Sequence, residues 1–261
     1  MGKYYTYVPG AEFPYQYKYE HMAVTTDCVI FTYEDWKLNV LLVRRGAEPY
    51  KGQWAFPGGF LKMDETAREG ALRELREETA LEPSAIGQLG VFSAVHRDPR
   101  ERVITIAWYA LVKPSEVVGG DDADEAAWFP VDDLPPLAFD HREIFETAME
   151  QLRRDIHFQP VGFDLLDEEF TIPDLQRLYE AILGVKFDRR NFQRKLIASG
   201  ILENANGFEE AAEMCLDSLC IMPESSPSAP RKARQGRPGQ LFRLNRKKYD
   251  EMKEDGGKLE F

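Results

Sequence analysis

The stretch Gly59-Phe-Leu-Lys-Met-Asp-Glu65-Thr-Ala-Arg-Glu-Gly-Ala-Leu-Arg73-Glu74-Leu-Arg-Glu77-Glu78-Thr-Ala80-Leu81 decides how this chain is read. An α-helix turns about 100° per residue, so Glu74, Glu77 and Glu78 fall on one face. Ala67, Gly70 and Ala71 continue that stripe without bulk, which predicts room beside the carboxylates. Like charges at this spacing repel one another, and a hard divalent cation relieves the repulsion while itself preferring oxygen ligands and phosphates. The competing reading is a solvated acidic helix whose charges Arg73 and Arg76 neutralise.

The spacing resembles the Nudix box, G-x5-E-x7-R-E-U-x-E-E-x-G-U with U aliphatic. Gly59, Glu65, Arg73, Glu74, Leu75, Glu77, Glu78 and Leu81 fit it, and Ala80 stands where the family has its last glycine. The resemblance implies an α/β/α sandwich with a mixed sheet and a catalytic set of Glu74, Glu77, Glu78, Arg73 and Glu65. In that set Glu74, Glu77, Glu78 and the Gly58 carbonyl would hold Mg2+, with Mn2+ as a substitute, and Arg73 and Glu65 would orient them. A left-handed backbone at Ala80 costs an alanine about 1 kcal/mol. The expectation is therefore a shifted helix end with the carboxylates left in place.

Outward from the box, Met22–Tyr33 and Leu38–Arg45 read as strands joined by a short polar turn at Glu34-Asp-Trp-Lys37. Gly87–His96 and Val103–Val112 read as two more, and Leu134-Pro-Pro136 as a breaker before a helix over His141–Arg154. The expected boundary follows, giving a Nudix domain at 1–156 and a second domain at 157–261. Arg45, His96 and Arg97 are candidate ligand-binding residues, with a surface or structural role as the alternative for each.

Residues 171–202 hold a second constellation. Thr171 and Asp188 are placed to cap two short helices, and Gly184 and Gly200 to end them. Leu175, Leu178, Tyr179 and Ile182 form an apolar stripe on the first. In the second, Phe192 and Leu196 face inward and leave Arg189, Arg190, Gln193, Arg194 and Lys195 outward. Such a pair suggests helix-turn-helix geometry, with a basic helix able to neutralise phosphates and read base edges. A plain helical hairpin with a solvated basic face is the alternative. The segment 231–239, with Arg234 and Arg237, reads as a basic wing loop between strands at Gly200–Glu203 and Gln240–Asn245. An acidic insertion at about 203–230 interrupts that order.

Charge follows the same division. Residues 1–170 carry a net −14 and residues 171–261 a net +2, within an overall −12. A basic module thus follows an acidic one. No apolar run reaches the roughly 18 residues of a membrane span, and the aromatic N-terminus lacks the pattern of a secretory signal. A cytoplasmic protein is expected. Cys28, Cys215 and Cys220 have no zinc-like spacing and read as free thiols.

Taken together, the motifs resemble the Nudix-related transcriptional regulators, which join a Nudix-like sensor to a C-terminal winged helix. Val43-Arg-Arg-Gly46, Arg97-Asp-Pro99, Phe139-Asp-His141, Gly162-Phe163 and Leu178-Tyr-Glu180 through Asp188–Phe192 carry the likeness. It implies a homodimer that binds a double-stranded DNA operator and responds to ADP-ribose or a pentose, with hydrolysis open because the acids are complete. The rival is a Nudix hydrolase cleaving ADP-ribose, or another nucleoside diphosphate derivative, whose C-terminal part serves dimerisation.

Overall fold

The computed structural model describes residues 5–7, 9–10, 15–17, 20–117, 119, 123–158, 161–205 and 240–254. It divides into two compact units. One comprises residues 1–31, 40–110 and 116–148; the other comprises 32–39, 111–115 and 149–261.

The chain opens with a small antiparallel ribbon of β1 (Tyr5–Tyr7) and β2 (Tyr15–Tyr17). The main sheet follows: β3 (Ala23–Glu34), β4 (Lys37–Arg45), β5 (Trp54–Ala55) and β6 (Gly58–Phe60), then, after helix α1 (Ala67–Thr79), β7 (Gly87–Phe92), β8 (Val103–Leu111) and β9 (Ala123–Pro130). Its order is β5-β4-β3-β8-β7, with β6 paired to β3 and β9 to β4. Contacts between β3 and β8 advance in the same direction, from Ala23 N on Arg102 O to Asp27 on Thr105, whereas β7 and β8 are antiparallel, so the sheet is mixed. Strand β3 is buried from Thr25 to Tyr33, as a central strand covered on both faces must be. Cys28 and Phe31 point to opposite faces of it. The Cys28 thiol donates to Ala71 O of α1, and Phe31 lies 6.5 Å from Phe145 of α2 (His141–Phe158). The helices therefore sit on opposite sides, giving the α/β/α sandwich.

Three expectations need correction here, and one element comes unannounced. Ala80 adopts the left-handed conformation at φ 60°, and its N–H still donates to Arg76 O at 3.0 Å, so the helix end is not shifted. Burial of Leu81, whose N–H reaches the Thr79 hydroxyl, fixes the exit path and overrides the alanine penalty. The small-residue stripe offers no open room: a Cβ on Gly70 would come within 2.3 Å of Leu61 Cδ2 and 3.0 Å of Glu65 Oε1. Strand β7 stops at Phe92, four residues before His96, because the guanidinium of Arg102 takes the carbonyls of Ser93 and Ala94. Residues 123–130 form a strand, β9, that weakly patterned sequence did not announce; pairing with β4 supplies its stability. The turn between β3 and β4 places Asp35 and Trp36 at φ 49° and 65°, the two-residue geometry that suits a twisted hairpin.

The second unit contains α3 (Val161–Asp164), α4 (Ile172–Leu183), α5 (Arg189–Ala198), β10 (Leu202–Asn204), β11 (Phe242–Leu244) and α6 (Arg246–Glu254). Thr171 caps α4 in a capping box with Asp174, and Gly184 ends it at φ 69°. Strands β10 and β11 pair antiparallel, and Phe170 exchanges two backbone hydrogen bonds with Phe242, adding a third short segment ahead of α4. This strand-helix-helix-strand-strand order is a winged helix-turn-helix. The acidic insertion from residue 206 onward and the wing arginines Arg234 and Arg237 lie outside the described residues, as do Cys215 and Cys220.

Candidate functional site

A cleft of about 210 Å³ opens over the sheet, between β3, β4 and β6, the end of α1, and the segments carrying Arg97–Arg100 and Phe139–His141. The box builds its acidic wall. Arg73 is the hub there: Nε and Nη2 grip Glu65 at 2.8 and 2.6 Å, and Nη1 donates to Glu74 at 2.7 Å and Glu77 at 2.9 Å. Glu78 turns the other way and accepts from the Gly58 N–H at 2.9 Å, inside the cleft. Glu65, hydrogen-bonded first by Arg73 and then by the Lys62 N–H, is held down to about 2. Glu74 is pushed above the usual carboxylate range by desolvation, against the pull of Arg73.

The donor set suits a hard divalent cation, because every side-chain ligand is a carboxylate oxygen. Gly59 forms a cradle against it, where a Cβ would meet Glu74 Oε1 at 2.5 Å. Glu74, partly desolvated and raised in pKa, gains from a nearby positive charge. Among the described residues no three His, Cys, Asp or Glu side chains converge on one point. Arg73 bonds Glu74 and Glu77, while Glu78 is taken by the Gly58 N–H. By the resemblance to the box, Glu74, Glu77, Glu78 and the Gly58 carbonyl would be the groups to hold such an ion.

Of the ligand-binding candidates, Arg45 and Arg97 both line the cleft, Arg97 buried and clamped on Asp140. His96 is exposed and does not line the cleft, since the turn that ends β7 carries it outward. Sequence reasoning missed a buried polar floor. Asp27 accepts from the Thr105 hydroxyl at 2.6 Å and lies 3.7 Å from both Arg97 Nη2 and His141 Nε2. His141 Nδ1 accepts from the Phe56 N–H at 2.9 Å, and its ring stacks on Phe56 at 5.4 Å. Because Nδ1 accepts that bond, the ring's proton sits on Nε2, and desolvation first lowers its pKa, with the Asp27 and Asp140 charges opposing. The one available signal was Asp27 itself, an acid at the head of the apolar run Cys28-Val-Ile-Phe31.

In the second unit, α4 and α5 are locked by a polar clamp at the turn. The Glu180 carboxylate accepts from the Phe187 N–H, Gln176 Nε2 and Lys186 Nζ at 3.0, 3.0 and 2.8 Å. Leu175, Leu178, Tyr179 and Ile182 are buried, and Phe192 packs edge-on against Tyr179 at 5.9 Å. With Phe192 and Leu196 turned inward, Arg189, Arg190, Arg194 and Lys195 are exposed on α5, and Gln193 is half-buried. Asp188 caps that helix through the Asn191 N–H at 2.8 Å. The result is a short rigid helix presenting four cations to solvent.

Comparison with known proteins agrees with both units. Residues 22–148 match the family model of the NUDIX domain, and residues 162–213 that of the NrtR DNA-binding winged helix domain. The chain is 44% identical to an ADP-ribose pyrophosphatase of Methanocaldococcus jannaschii, across 50% of this chain and 75% of that protein. It is 29% identical to the ADPR responsive transcriptional repressor NtrR of Acinetobacter baylyi, across 72% and 77%. Among solved structures, Shewanella oneidensis NrtR complexed with a 27mer DNA superposes with a TM-score of 0.64 at 29% identity, covering 87% of this chain and 95% of that one.

Proposed function

The chain belongs to the Nudix family, among the regulators that join a Nudix domain to an NrtR-type winged helix, and from that membership we propose that it is a transcriptional regulator that binds an operator through α5 and senses ADP-ribose in its Nudix cleft. The observation that carries the reading is the coexistence, in one chain, of a solvent-facing cationic helix on a buried helix pair and a cleft whose walls are arginine and carboxylate. A cationic helix neutralises phosphates, and a cleft of that chemistry suits a charged diphosphate better than an uncharged pentose. Residues 1–156 form the sensing part and 157–261 the DNA-reading part. Arg189, Arg190, Gln193, Arg194 and Lys195 contact DNA, with Arg234 and Arg237 on the wing. The protein acts as a homodimer on a two-fold-related operator, in the cytoplasm; among the described residues no helix is long and apolar enough to cross a membrane.

Hydrolysis is a second reading, favoured by one observation: every acid of the box is present, with Glu78 lining the cleft and Glu74 set against Gly59, which lines it too. Glu74, Glu77, Glu78 and the Gly58 carbonyl would hold Mg2+ or Mn2+, which polarises a phosphoryl oxygen and lowers the pKa of an attacking water. Arg73, braced by Glu65, keeps Glu74 and Glu77 in place for that task. Turnover of ADP-ribose to AMP and ribose 5-phosphate would then end the signal it had raised.

The test is capture of fragmented genomic DNA by the full chain, with ADP-ribose and L-arabinose added separately. Enrichment of a few promoters, changed by ADP-ribose alone, is the expected result. No enrichment under any condition would leave the stand-alone hydrolase as the better reading.

A further inference from the structure

Arg45 and Arg100 reach the cleft from different segments and meet on one ring. The Arg45 Cζ stands 4.8 Å from the Phe139 centroid and the Arg100 Cζ 5.7 Å from it, and Arg100 also lies 5.1 Å from the Phe60 centroid. All four residues line the cleft. Asp98 balances the charge of Arg100, which leaves Arg45 as a cleft-lining cation whose burial a bound anion would relieve.

The two arginines are braced differently. Arg100 is held by the buried Asp98, through Nε at 3.0 Å and Nη2 at 2.7 Å, while Asp98 also accepts from the Arg100 N–H at 2.9 Å. Arg45 is half-buried, and among the described residues its donors meet only the carbonyls of Pro49 at 2.9 Å and Ala47 at 3.4 Å; no acid pairs with it. Burial, and after it the Arg100 charge, lowers its pKa. Phe139, the shared seat, takes φ 53° and is propped by the edge of Tyr50 at 4.8 Å, itself at φ 64°. Bulky residues adopt that backbone region only where surrounding contacts impose it, and such sites concentrate at ligand clamps.

We propose that Arg45 and Arg100, seated on Phe139, form the anion seat of the cleft and hold a phosphate of a nucleoside diphosphate derivative. Arg97, like Arg45 a candidate from the sequence, is clamped on Asp140 and acts at the cleft wall as a positioning residue. This rests on the reading of the cleft as an ADP-ribose sensor and adds the residues that choose for phosphate. Arg100 answers to a charge, not to a sugar, so the seat discriminates against uncharged pentoses.

The experiment is calorimetric titration of the full chain with ADP-ribose, inorganic pyrophosphate and L-arabinose at two salt concentrations, for wild type, Arg100→Gln, Arg100→Lys and Arg45→Gln, each shown by circular dichroism to be folded. The expected result is that Arg100→Gln and Arg45→Gln each weaken ADP-ribose binding about tenfold or more, with a smaller salt dependence, and that Arg100→Lys recovers part of the loss. Wild-type affinity in folded Arg100→Gln would overturn the proposal and leave the ADP-ribose reading standing. Arg100-dependent binding of pyrophosphate without binding of ADP-ribose would retire that effector and keep the seat. Binding of L-arabinose with neither phosphate ligand would remove both.

Discussion

Arg97 meets Asp140 with two parallel hydrogen bonds, Nε to Oδ2 at 2.8 Å and Nη2 to Oδ1 at 2.7 Å, at the wall of a cleft that Arg45 and Arg100 also line. Both side chains are largely withdrawn from water. The pair joins the segment after β7 to the start of α2, fixing the floor on which Phe139 and His141 stand. Removing one partner leaves the other charged and buried. Asp140→Ala is therefore expected to cost about 3 kcal/mol or more, read as a lowered midpoint in urea unfolding. The double replacement Arg97→Met with Asp140→Leu should cost less than Asp140→Ala alone. A double variant as unstable as the single would mean that the pair matters for shape instead of charge.

Ala80 pays for its left-handed backbone. Ala80→Gly removes a penalty of about 1–2 kcal/mol and returns about 0.4–1 kcal/mol through the freer unfolded chain. The net expectation is a gain of about 0.5–1 kcal/mol, or a rise of roughly 1–4 °C in thermal midpoint. A lowered midpoint would show that the exit of α1 depends on the alanine methyl.

The pH dependence of cation binding follows from Glu74. Its folded pKa is raised, so the stability it contributes is full below about 4.5 and is lost as pH rises through the folded value. Above that range Glu74 is an ionised, partly desolvated acid that a divalent cation relieves. Mg2+ should therefore raise the thermal midpoint more at pH 7.5 than at pH 5, and Glu74→Gln should shrink that difference. Equal Mg2+ shifts at both pH values would remove Glu74 from the ligand set.

On α5, Arg190→Ala with Arg194→Ala takes two exposed cations from the helix. If both touch DNA phosphates, the slope of log affinity against log salt should flatten by about 1.8, with thermal stability and ADP-ribose binding unchanged. An unaltered slope would move the DNA contact to another face.

Glu77→Gln and Glu78→Gln separate sensing from turnover. Each should abolish Mg2+-dependent hydrolysis of ADP-ribose, if wild type hydrolyses it, by more than a hundredfold. Because the Gly58 N–H would exchange a carboxylate acceptor for a weaker amide oxygen, Glu78→Gln should in addition speed amide exchange at Gly58 in β6. Undiminished turnover in both variants would overturn the catalytic assignment.

What the sequence determined by itself was local. The box spacing placed its acids on one helix, because helical period is set by the backbone. Caps and apolar stripes placed α4 and α5 for the same reason: Thr171, Asp188 and Gly184 act within a few residues of themselves. Tertiary structure decided how the charged groups share out. Arg97 and Arg100 stand three residues apart and only Arg97 was a ligand candidate, yet Arg97 became the clamp on Asp140 and Arg100 a cation on Phe139. Those fates depend on partners tens of residues distant, such as Asp140 for Arg97 and Phe139 for Arg100, that only the folded sheet brings near. The same holds for Ala80, where long-range burial of Leu81 outweighed a local backbone preference of about 1 kcal/mol.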